Sequence, residues 1–96
     1  MPHRLTDRQR VVCLLMSVGE LDKRIASLMD VSQRTVELEK RRVATSLGLP
    51  THKLVIWAVE NRQRLQAEVN WSGVSESVRN LVAPNCLGEW GCEFCI

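Results

Sequence analysis

Asp22-Lys23-Arg24-Ile25-Ala26-Ser27-Leu28-Met29, then Asp30-Val31-Ser32, then Gln33-Arg34-Thr35-Val36-Glu37-Leu38-Glu39-Lys40-Arg41-Arg42-Val43-Ala44-Thr45-Ser46: these three consecutive pieces decide the fold. The first has Ile25, Ala26, Leu28 and Met29 on one helical face, with Asp22 placed to cap its start. The last opens behind Ser32, a favoured N-cap residue, and carries Val36, Val43 and Leu47 on one face. Between them Asp30 takes the place of the left-handed turn residue, which Asp tolerates better than most. Val31 then plugs the turn into the core, and Ala26 is small enough for two helices to cross closely there. A short helix, a tight turn and a longer helix make a helix-turn-helix. Any αα-hairpin shares some of these features, so spacing alone leaves the function open.

The pattern extends in both directions. Thr6-Asp7-Arg8-Gln9 fits a capping box at the start of a helix whose apolar residues are Val11, Val12, Leu14, Leu15 and Val18, with Gly19 supplying its left-handed end. Gly48 closes the third helix, Pro50 blocks its continuation, and Thr51 is placed to cap a fourth helix running to about Glu68. In that helix Leu54, Ala58 and Leu65 form a core stripe, while Ile56, Val59 and Gln63 lie elsewhere. The apolar members of this second set form either a dimer seam or a patch covered by the tail.

The chain's 96 residues suit one domain, and 45% hydrophobic residues suffice for a core. Only 4% are aromatic and none is Tyr, which leans the composition towards an all-α fold. The longest apolar run, Val11 to Met16, is too short to span a bilayer, so no membrane role is expected. The N-terminus lacks the apolar stretch of a secretory signal, and a cytoplasmic location with reduced thiols is expected. The net charge of +2 hides an asymmetry: residues 1–66 carry 12 bases against 7 acids, and the remainder is acidic. A basic domain with an acidic tail suits an anion-binding module.

Four ordered motifs now make a resemblance specific. Leu5-Thr6-x-Arg8-Gln9-x-Val11-Val12 looks like the "LT.RE.EVL" opening of LuxR/GerE domains. Gly19-x-x-Asp22-Lys23-Arg24-Ile25-Ala26 looks like "G.SNKEIA", and Val31-Ser32-Gln33-Arg34-Thr35-Val36-Glu37 is similar to "ISERTVK", or "ISPRTVE" in the FixJ-like response-regulator branch. Leu47-Gly48 matches the "KLG" that ends the third helix. The resemblance covers roughly residues 4–66. It implies an all-α, four-helix helix-turn-helix domain over residues 1–66 that binds double-stranded DNA as a homodimer, with its third helix in the major groove and its fourth commonly at the dimer contact. Residues 67–96 then form an acidic, Cys- and Trp-containing C-terminal extension, expected to be poorly ordered in part, with a short helix over Glu76 to Val82. The chain resembles a stand-alone effector domain, with control supplied from elsewhere.

On the third helix the face opposite the core stripe carries Arg34, Glu37, Leu38, Arg41 and Thr45. The resemblance implies that Glu37, Leu38 and Arg41 approach base edges. Arg41 can pair with guanine, Leu38 can touch a thymine methyl, and Glu37 can accept from a cytosine amine or orient Arg41. Arg34, Thr35, Lys40 and Arg42, with Lys23 on the second helix, are placed for phosphates, and Ser32 and Gln33 sit at the favourable end of the helix dipole.

Some positions depart from the family pattern. Glu39 stands where a neutral or basic group is usual, Arg24 replaces a usual Glu, and Ser46 a usual Lys. Glu37 and Glu39 together place acids close to a surface meant for phosphates. An alternative function follows: a degenerate helix-turn-helix that binds another regulator or RNA polymerase and not DNA. In the tail, Cys92-x-x-Cys95 has metal-knuckle or redox spacing, with Cys86 as a third thiol, but a structural zinc needs four ligands. Cys13 sits in the apolar run and is expected in the core. No Gly-rich phosphate loop or His/carboxylate cluster suggests catalysis, and no cofactor is expected.

Overall fold

The computed structural model describes residues 5–83, and these are all-helical, with no strand among them. Six helices follow in order: α1 (Asp7–Ser17), α2 (Asp22–Met29), α3 (Gln33–Leu47), α4 (Leu54–Glu60), α5 (Arg62–Glu68) and α6 (Glu76–Val82). Single 3₁₀ turns precede α4 at Thr51–Lys53 and α6 at Trp71–Gly73.

Helix α1 is the centre of the molecule, packing against α3, α4, α5 and α6. Every residue from Val11 to Ser17 is buried, so the last two turns of this helix are covered on all sides, while its first turn is polar. Its start is closed by the capping box: the Gln9 amide N–H donates to Thr6 Oγ1 at 3.1 Å, and the Thr6 N–H donates to Gln9 Oε1 at 3.0 Å. At its far end Gly19 has φ of +88°, and the Glu20 N–H returns to the Leu15 carbonyl. The orphan carbonyl of Ser17 accepts from Arg62 Nη2 at 2.6 Å, which ties the end of α1 to α5.

The cap expected from Asp22 is not made. Leu21 holds the cap position without a side-chain bond, and Asp22 is the first helical residue, its carboxylate drawn to Lys40. Thr51 likewise opens a 3₁₀ turn behind Pro50 and makes no side-chain cap bond. The expected fourth helix comes in two segments. At Asn61 the backbone leaves the helical region (φ −109°, ψ 17°), and the Asn61 side-chain amide donates to the Trp57 carbonyl at 2.8 Å. The Trp57 carbonyl accepts from the Asn61 backbone N–H as well, at 3.0 Å, so side chain and backbone share one acceptor at this break.

The core continues beyond residue 66. Val69, Val78 and Val82 belong to the same buried cluster as Leu14, Ile25, Val36 and Leu54. Trp71 Nε1 donates to the Gln66 carbonyl, and Gln66 Nε2 donates to the Val82 carbonyl, fastening this segment down. Helix α6 occupies the expected Glu76 to Val82 and lies on α1 and α2. No helix among the described residues is long and apolar enough to cross a membrane.

Candidate nucleic-acid interface

The α2–α3 unit is built on Ile25, Val36 and Val43, all fully buried, with Ala26 and Ala44 beside them. Asp30 adopts φ 56° and ψ 46°, the left-handed conformation required of the turn, and is the only positive-φ residue other than glycine among those described. Its neighbour Val31 packs against the core. Ser32 caps α3, its hydroxyl accepting from the Thr35 N–H at 3.1 Å, and Gly48 ends it at φ 70°.

With Val36, Val43 and Ala44 turned inward, Arg34, Glu37, Leu38, Arg41 and Thr45 form the exposed side of α3. Leu38 is a large apolar side chain left 38% open there. Among the described residues Arg34, Arg41, Glu37 and Lys23 enter no ion pair, so the Glu37–Arg41 pair considered from the sequence is not closed. Both Arg34 and Arg41 therefore present their whole set of N–H donors outward.

The two flanks of this face differ. On one side Lys40 Nζ lies 2.7 Å from Asp22 Oδ1, both side chains being largely covered. Lys40, Lys23 and Gln33 line one shallow depression of about 580 Å³ with Glu20, Asp22 and Val55. On the other side stands Glu39, whose position differs from the one expected. It is 7% exposed and turned away from the groove face. Its Oε1 accepts from Gln9 Nε2 at 3.3 Å, and its two oxygens lie 3.7 Å from Arg8 Nη1 and from Arg42 Nη1. An acid expected to repel phosphate is thus set back and neutralised by two cations.

Arg8 did not figure among the site residues read from sequence. It belongs to α1, fourteen residues from Asp22, and only the packing of α1 on α3 brings it here. Ser32 and Thr35 share a hydroxyl contact of 2.9 Å at the exposed start of α3. Ile56 and Val59 are 59% and 48% exposed on α4, with Val55 beside them and Gln63 also exposed. Helix α6 does not cover them, since it lies on α1 and α2.

Cys13 is fully buried, and desolvation pushes its thiol up to about 12. Cys86, Cys92 and Cys95 fall outside the described residues. Among the described residues no group of three or more His, Cys, Asp or Glu side chains could hold a metal ion.

Comparison with curated proteins and with solved structures gives no significant match. A family model does match: that for bacterial regulatory proteins of the luxR family, GerE, over residues 3–57.

Proposed function

Because the chain belongs to the luxR family of bacterial regulatory proteins, it is a helix-turn-helix DNA-binding regulator of transcription, and we propose that it reads a specific duplex sequence as a homodimer. Helix α3 enters the major groove, Arg41 and Leu38 meet base edges, and Arg34, Arg42, Lys23 and the Ser32–Thr35 end of α3 hold the backbone. The observation that carries this reading is the exposed side of α3, where Arg34 and Arg41 stand unpaired among the described residues while Glu39 is withdrawn. Guanidinium forks match the two acceptors of guanine, and apolar groups match the thymine methyl. Lys40 contributes to phosphate binding only by exchanging Asp22 for a phosphate, so its share is smaller than its charge suggests. The dimer forms through Ile56 and Val59, with Gln63 at the margin, an apolar patch on a helix that no other described element covers. A dimer that reads successive major grooves needs its two α3 helices about 34 Å apart, one turn of duplex.

The test is DNA binding by the wild type and by Arg41→Ala over a salt series, with a pool of random duplexes. The wild type should select a sequence, and its log affinity should fall linearly with log salt. Arg41→Ala should weaken binding to the selected sequence by about 1–3 kcal/mol and relax the preference. If the wild type retains no duplex even near 50 mM salt, the reading fails. The apolar surface of Val55, Ile56 and Val59, joined by Leu21 at 76% exposed, then favours a module that binds another regulator or RNA polymerase.

A further inference from the structure

The cations packed around α1 and α3 divide by what their N–H groups already do. Arg62 donates to Ser17, Arg10 to Asp7 and to the Glu68 carbonyl, and Lys40 to Asp22 at 2.7 Å. Arg8 and Arg42 differ. Each has a guanidinium nitrogen 3.7 Å from the Glu39 carboxylate, close enough for attraction but beyond hydrogen-bond length. Among the described residues neither donates a hydrogen bond. Their side chains are 52% and 69% exposed, whereas the Glu39 side chain they flank is 10% exposed. One covered anion thus anchors two guanidiniums at the surface, one at each of its oxygens, and leaves their donors free.

From this juxtaposition we propose that Arg8 of α1 is a phosphate-contacting residue, acting with Arg42 of α3 as a paired clamp on the DNA backbone at the α1 edge of the recognition face. The inference rests on the DNA-binding reading above and adds an element to it, since α1 joins α2 and α3 at the interface. Two free arginines this close would repel each other. Glu39 removes that repulsion in the unbound protein without occupying the donors, so a phosphate meets two forks already in place. Because the contact is to backbone, it strengthens binding to every sequence alike.

The experiment compares wild type, Arg8→Gln, Arg8→Lys and, as a control on the far side of α1, Arg64→Gln. Each is titrated with the selected duplex and with an unrelated one from 50 to 200 mM salt. Arg8→Gln keeps an aliphatic stem and a donor for Glu39, and its far-ultraviolet circular dichroism should match the wild type. Its log–log salt slope should be shallower by about 0.9 per protomer bound. Its affinity should drop by the same factor on both duplexes, leaving their ratio unchanged. Arg8→Lys, which keeps the charge, should keep the slope, and Arg64→Gln should change nothing. An Arg8→Gln slope equal to wild type overturns the proposal, as does a lost slope in Arg8→Lys, which would mark a structural effect. Wild-type protein that binds neither duplex overturns the parent reading as well, and that outcome is visible before any variant is compared.

Discussion

Gln9 uses both ends of its amide. The oxygen accepts from the Thr6 N–H within the capping box, and the nitrogen donates to Glu39 across the α1–α3 contact. A Glu at position 9, as in the "LT.RE" pattern, would keep the first bond and turn the second into a clash of two carboxylates. Gln9→Glu should therefore destabilise the fold by about 1–3 kcal/mol in urea unfolding. Adding Glu39→His should restore most of the loss, so that the double-mutant cycle shows favourable coupling between the two sites. The Gln9 amide and the Glu39 carboxylate thus act as one contact. Asp22 sets a second trade. Asp22→Asn should lower stability by about 1 kcal/mol, through the lost ion pair and the lost acid in the first turn of α2. The freed Lys40 should then steepen the salt dependence of DNA binding. Cys13 gives a pH signature. Its thiol is held near 12 in the fold against an ordinary value of 9.0, so the folded state keeps its proton where the unfolded chain loses it. Its stabilising share is complete below pH 9 and declines as pH rises through that interval. With Cys86, Cys92 and Cys95 replaced by Ser, the native protein should react with a thiol reagent at pH 8 only at its rate of unfolding.

At the level of elements, what the sequence made legible were signals contained in a few neighbouring residues. The Thr6–Gln9 box, Gly19, Asp30, the Ser32 cap and Gly48 all stand where expected, because each answers a local demand for a donor, an acceptor or a left-handed backbone. The break at Asn61 was not legible. Leu54, Ala58 and Leu65 keep helical phase across it and are all buried, so the apolar pattern passes through without interruption. Nor could local pattern say where α6 docks, or that Glu39 points inward, since both depend on residues distant in the chain. The groove face was legible as a helical face, but its Arg8 edge was not. The segment after Gln66 supplies Val69, Val78 and Val82 to the core. Burying three valines contributes roughly 5 kcal/mol, a large part of the stability of a domain this size. A chain ending at Gln66 should lose its sharp thermal transition by circular dichroism. The double substitution Val78→Ala and Val82→Ala in the full chain should lower the melting temperature while leaving helix content largely unchanged at 20 °C.

For the whole molecule, the exposed arginines Arg34 and Arg41 are on α3, whereas the apolar side chains Val55, Ile56 and Val59 are on α4. The proposed dimer uses Ile56 and Val59, whereas Val55 borders the depression that Lys23, Gln33 and Lys40 line. Ile56→Asp should shift the protein to monomer in sedimentation equilibrium. Its affinity for a two-half-site duplex should fall at least tenfold, and its affinity for a single half-site should stay the same. Packing of α1 on α3, α4, α5 and α6 has one further consequence, for the way the molecule opens. No other helix can lose its place without exposing part of α1, and α1, which also touches α2, can be bared only when all five have left. Its central amides, from Val12 to Met16, should be the last in the protein to exchange their hydrogens for deuterium. They should do so at the rate set by global unfolding, while the ends of α3 and α6 exchange earlier through local fraying.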